Sequence, residues 1–238
     1  MYEIGTDNLF EGIRTEYFDN GEVAFSAPYV KGVMNGKATW WHKNGQKSSE
    51  GLMTNGKKEG KWTSWYEDGT KSMESNYIND LQDGQQIEYN KNGTVSMDCF
   101  KTKGTLNGLS KIFYEDGTIE TESTFKNGNP DGRTISYHKN GAKENVLFYV
   151  NGLKQGEAKT YYDNGAINTE SNYKDNRLHG PMTVFHQNGT ISATVSHNNG
   201  KIEGSWKFYD SLGQILEERI FKDSVLIKTI DHRKKSRD

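Results

Sequence analysis

A chain of 238 residues with only 32% hydrophobic side chains and a mean hydropathy of −0.92 is too polar for one thick globular core, yet 12% aromatics with 13 tyrosines exclude a disordered chain. A net charge of −2 gives no general basic field, so nucleic acid is not an expected partner. The lone Cys99 excludes an internal disulfide and fits a reducing compartment, and no run approaches the roughly 18 apolar residues of a membrane span, so membrane binding is not expected.

In chain order, the first segment, "MYEIGTDNLF", lacks a basic stretch followed by an apolar one, so the expected location is cytoplasmic. Residues 1–11 read as the back half of a repeat, with Asp7-Asn8 at its turn. From there glycines recur every 24 residues, at Gly12, Gly36, Gly60, Gly84, Gly108, Gly132, Gly156, Gly180 and Gly204. A second set keeps the same step from Gly21 to Gly213. Nine tandem repeats without an insertion define a single repeat domain over residues 1–232. Ser224–His232 reads as a closing strand, and residues 233–238 as a charged tail.

Counting each repeat from its first glycine as position 0, position 5 is always aromatic, from Tyr17 and Trp41 to Tyr209. Position 8 is Asn or Asp in all repeats but one, where it is Leu212. Position 17 is aromatic in six repeats, among them Tyr29, Tyr77 and Tyr173. "YEDGT", at Tyr66–Thr70 and Tyr114–Thr118, has the grammar of a three-residue hairpin loop: a type I turn followed by a left-handed glycine. It should set position 6 opposite 10 and 5 opposite 11. Read with the same grammar, the second turn, as in Asn55-Gly56 and Asn151-Gly152, sets 17 opposite 21. Two odd loops keep parity, so all odd positions are expected on one face and all even positions on the other.

The expected fold class is therefore all-β: an open, single-layer antiparallel β-meander of nine β-hairpin repeats, twisted, with about 20 strands and almost no helix. On the odd face the rings at 5 and 17 pack over small residues at position 15, including Gly51, Ser75 and Cys99. On the even face, position 14 forms an acidic row: Glu50, Glu74, Asp98, Glu122, Glu170 and Glu218. Position 6 adds Tyr66, Tyr114, Tyr162, His42, His138 and His186, and Trp40 and Trp62 add an apolar patch.

This face is the candidate partner-binding surface, with Glu50, Glu74, Asp98, Glu122, Glu170, Tyr66, Tyr114, Tyr162, Trp40 and Trp62 as its contact residues. The plain alternative is a solvated strand face that keeps an open sheet soluble. No residues form a catalytic constellation, a phosphate loop or a metal-ligand spacing, so neither an enzyme nor a cofactor or metal site is expected. The histidines at position 6 stand in for Tyr and Phe rather than converging, and Cys99 reads as a packing thiol.

The unit G-x4-[YWF]-[YHF]-x-[ND]-G, as in Gly60–Gly69 and Gly156–Gly165, resembles the variant MORN repeat over about residues 2–222. Tandem arrays of this kind resemble the bacterial YwqK-type antitoxin family of toxin–antitoxin pairs. That resemblance implies a non-catalytic protein that neutralises a partner by binding it, with a basic toxin encoded nearby as the natural partner. The alternatives are a structural or cell-surface scaffold and a carbohydrate- or cell-wall-binding repeat protein. The exposed sheet edges also leave an edge-mediated homodimer open.

Overall fold

The computed structural model describes residues 9–233. The Asp7-Asn8 turn and the tail beyond Arg233 lie outside the described residues. The chain divides into two compact units, Met1–Gly117 and Thr118–Asp238. Among the described residues the first holds ten strands, from Gly12–Tyr17 to Thr105–Phe113, and the second twelve, from Ile119–Lys126 to Val225–Asp231. Within each unit the strands pair antiparallel with their neighbours in sequence, as one open meander. No α-helix occurs among the described residues. The closing strand expected at Ser224–His232 is Val225–Asp231.

The first turn of each repeat folds as its sequence indicates. Phe18 N–H donates to Glu22 O at 2.8 Å and Gly21 N–H to Phe18 O at 2.9 Å, which sets position 6 opposite 10. Tyr17 then lies opposite Val23, position 5 opposite 11. Asn is favoured at position 8 because its side-chain oxygen accepts the N–H two residues on, as Asn20 does from Glu22 at 3.1 Å. Where Leu212 replaces it, Asp210 Oδ1 accepts the N–H groups of Leu212 and Gln214 instead.

Two features overturn the expected parity. Immediately beyond the first turn the register slips: Tyr17 faces Val23, but Glu16 faces Phe25, leaving Ala24 as the extra residue of a β-bulge. The same slip recurs at Trp40/Trp41 and Ser64/Trp65. The second turn has only two loop residues. Val30 lies opposite Val33, and Tyr29 opposite Met34, so 17 faces 22 rather than 21. Both central residues take positive φ, as at Asn55 (51°) and Gly56 (76°) or Asn79 (49°) and Asp80 (69°), which is the type I′ geometry that Asn, Asp and Gly tolerate.

The faces therefore exchange parity from strand to strand. Positions 2, 4, 13, 15, 17 and 22 share one face, and positions 1, 3, 5, 14, 16, 18 and 21 share the other. The rings at 5 and 17 lie on opposite faces, contrary to the sequence-based expectation.

The first of these, the ring face, carries most of the burial. Its centre in the first unit is Phe25, Ala27, Ala38, Met53 and Trp62, with Tyr29, Met34, Trp40 and Tyr77 packed against it. Ring centroids follow one another at 4.8 Å (Phe25–Trp40), 5.6 Å (Trp40–Trp62) and 6.2 Å (Trp62–Tyr77). A single sheet has no second layer to cover such rings, so each hairpin uses the rings of the next. The small residues at position 15 make that possible. Gly51 lies directly opposite Trp62, and a Cβ there would come within 2.2 Å of the indole. Cys99 in the same slot is fully buried, and that burial pushes its thiol pKa up, as a packing residue requires.

Gly51→Ala should therefore destabilise the chain by about 1–3 kcal/mol through overpacking. In a Trp62→Ala background, itself costing about 3–5 kcal/mol, the penalty at Gly51 should nearly vanish. Chemical denaturation of the two single variants and the double variant measures the coupling.

Candidate functional site

The opposite face, the charged face, is built from strand positions that alternate in charge. Glu50 accepts Lys37 Nζ at 2.7 Å and Lys47 Nζ at 2.6 Å, with Thr39 Oγ1 donating at 3.3 Å. Glu74 accepts Lys61 at 3.0 Å, Lys71 at 2.8 Å and the Tyr89 hydroxyl at 3.1 Å. Asp98 accepts Gln85 Nε2 at 2.8 Å, Glu122 accepts the Tyr137 hydroxyl at 3.1 Å, and Glu170 accepts Lys159 at 2.9 Å. The row of acids expected from the sequence is present, but it is a row of ion pairs and hydrogen bonds rather than a bare negative stripe.

The pairing marks the acid titrations. The Lys71 hydrogen bond, opposed by burial and helped by Lys61 and Tyr89, holds Glu74 down to about 2. At Glu50 burial pulls upward, but the hydrogen bonds and charges of Lys37 and Lys47 leave it lowered. Lys159 is raised by its hydrogen bonds to Glu170 and Glu157.

The position-6 side chains do not project onto this face. They lie at the end of the sheet and reach across to the next repeat. Tyr66 hydroxyl donates to Tyr89 O at 2.7 Å, and Tyr162 hydroxyl to Phe185 O at 2.7 Å. Tyr114 occupies the same position in its repeat and is half-buried. His42 Nε2 lies 2.9 Å from Trp65 O, and His138 and His186 repeat the contact at 3.2 Å. A carbonyl only accepts, so Nε2 carries the proton in each. The turn asparagines add a second row of bonds: Asn44 Nδ2 donates to Glu67 O at 2.6 Å and Asn140 Nδ2 to Asp163 O at 2.7 Å. These residues stitch repeats together. Among the described residues no three His, Cys, Asp or Glu side chains converge as a metal site.

The ten candidate contact residues thus fall into three places. Glu50, Glu74, Asp98, Glu122 and Glu170 are on the charged face, Tyr66, Tyr114 and Tyr162 are at the turn end, and Trp40 and Trp62 belong to the ring face. Reading the sequence with preserved parity placed all ten together. It also concealed a row of exposed apolar side chains on the charged face. Val30, Leu52, Ile78 and Phe100 at positions 16 and 18, with Val33 and Leu81 at 21, stand exposed in the first unit. Phe148, Val150 and Leu153 do so in the second. Two-residue Asn-Gly loops are the signal that would have revealed it, because they bring positions 18 and 21 side by side.

Compared with protein-family models, the chain matches the MORN repeat variant at residues 10–31, 34–55, 58–79, 106–127, 154–175, 178–199 and 202–223, more than half of its length. No curated protein matches it. Among solved structures, the crystal structure of TcdB2-TccC3 shares 11% identity at a TM-score of 0.23, covering 87% of this chain and 14% of that one. That of TcdB2-TccC3-TEV shares 13% at 0.24, covering 88% and 13%. The chain thus spans about one-seventh of those chains, and neither overlay is close enough to define a common fold.

Glu74 makes the pairing testable. Its folded pKa lies below the unfolded value, so its contribution is present above about pH 4.5 and is lost as pH falls towards 2. Glu74→Gln should cost about 1–2 kcal/mol at pH 7 and flatten the fall in stability across that window. Urea unfolding of both proteins from pH 7 to pH 2 reads this directly.

Proposed function

The chain belongs to the MORN repeat variant family, and we propose that it is a non-catalytic protein-binding module that contacts its partner through the charged face. The observation that carries this reading is the periodic row of exposed Val, Leu, Ile and Phe side chains beside paired lysines and carboxylates. Isolated exposed apolar residues need no explanation, but a row repeated at successive hairpins does. An apolar strip flanked by charges of both signs matches the make-up of a protein interface, whose apolar centre is rimmed by polar groups.

Within that class the favoured role is an antitoxin or immunity protein that covers a toxin encoded next to it. A basic partner fits the acidic row by exchange. Lys37 and Lys61 are more than half exposed on their acids, so incoming arginines can replace them at small cost. The aliphatic row then supplies the burial that exposed ion pairs cannot.

Purification with the adjacent gene's product tests the role. A stoichiometric complex with Kd below about 1 µM is expected, persisting in high salt because apolar contact holds it. Leu52→Asp combined with Phe100→Asp should weaken it by about 10-fold or more without altering the circular dichroism spectrum. No complex at about 10 µM overturns the antitoxin role, and a complex indifferent to the double substitution overturns the face.

A further inference from the structure

Position 14 lacks its acid in three of the nine repeats, at Ser26, Val146 and Thr194, and of these three the repeat with Val146 alone keeps a cation at position 1. In the repeats that begin at Gly36, Gly60 and Gly84, the donor at position 1 engages the acid at position 14 of its own repeat: Lys37 with Glu50 at 2.7 Å, Lys61 with Glu74 at 3.0 Å, and Gln85 with Asp98 at 2.8 Å. In the repeat that begins at Gly132, position 1 is Arg133, and position 14 is Val146. The cation is retained and its acid is missing. The Arg133 side chain makes no hydrogen bond or ion pair among the described residues. The Arg133 charge acts on the Tyr137 phenol, which donates to Glu122.

The missing carboxylate coincides with a depression of about 470 Å³ in the second unit. Arg133, Val146, Phe148, Glu157, Lys159 and Tyr161 line it. Register explains the grouping, since Arg133 lies opposite Phe148, and Val146 opposite Lys159. Lys159 already holds Glu157 at 3.0 Å and Glu170 at 2.9 Å. The guanidinium of Arg133 is thus the uncommitted charge of the depression, and Val146, Phe148 and Tyr161 form its apolar wall.

We propose that this depression binds a carboxylate carried on an apolar peptide segment, an Asp or Glu side chain flanked by an aliphatic or aromatic residue. The incoming carboxylate takes the place that position 14 fills elsewhere, in a fork-to-carboxylate pair with Arg133. The flanking apolar group packs on Val146, Phe148 and Tyr161. The assignment rests on the protein-binding reading only for the peptide as the source of the carboxylate.

The test uses the full chain and methyl and arginine Nε–Hε NMR, with acetyl-Leu-Glu-Leu-amide, its Gln counterpart and acetate as probes. Saturable shifts at Val146 and Arg133 are expected with the Glu peptide, with affinity about 10-fold or more weaker for the Gln peptide and for acetate. Arg133→Gln should abolish them. Val146→Glu returns the acid to its slot, and should also abolish binding while the melting temperature holds or rises. Equal shifts with the Glu and Gln peptides, none at about 10 mM, or undiminished binding by Val146→Glu overturn the site. Acetate binding as tightly as the peptide overturns the peptide source and leaves a simple anion site. The complex with the adjacent gene's product separates the two proposals. A complex untouched by Arg133→Gln, with no peptide binding, sinks this site alone. Peptide binding without that complex sinks the antitoxin role alone.

Discussion

Two consecutive residues with positive φ at the second turn of every repeat decide which side chains share a face. A two-residue type I′ loop joins an odd position to an even one, and the bulge after the first turn exchanges parity again. Because both devices recur with a period of 24 residues, the exchange never accumulates, and each position keeps its face along each unit. A one-residue error in either device would move every ring of a strand to the other side. Glycine and asparagine recur at these turns because they take positive φ at little cost.

Given those faces, stability follows from lateral contact. A single layer buries little by itself, so rings lean on the rings of the next hairpin, as Phe25, Trp40, Trp62 and Tyr77 do. The turn end adds a second lateral linkage. Tyr and His at position 6 and Asn at position 8 each hand a hydrogen bond to a backbone carbonyl of the following repeat. Tyr and His are interchangeable there because each places a donor at the tip of a planar ring. Stability in such an array is a sum over neighbouring repeats, so each bond matters locally.

The sequence makes the repeat, its period, the three-residue loop and the small slot at position 15 legible, because turn glycines and steric exclusion leave a strict mark. The pairing of 5 with 11, seen in Tyr17 and Val23, follows from the loop alone. The faces do not follow, because a bulge has no reserved residue type: Ala24 holds the extra place in one repeat and Ser48 in the next. Preserved parity consequently places Trp40 and Trp62 on the partner-binding side. Their indoles instead form the centre of the ring face, where Gly51 leaves room for Trp62.

The charged face shows why an acidic row is a poor guide to binding by itself. Glu50, Glu74, Glu170 and Glu218 at position 14 sit beside lysines at positions 1, 3 or 11, and Asp98 takes the Gln85 amide instead, so these acids are satisfied within the sheet. A periodic pair contributes solubility and a little stability but offers no address that distinguishes one stretch of the array from another. Distinction comes from departures from the period. Where Val146 replaces the acid, a guanidinium and an apolar wall stand open together. In this array the repeated grammar builds the surface, and the exceptions to it make one stretch of that surface chemically different from the next.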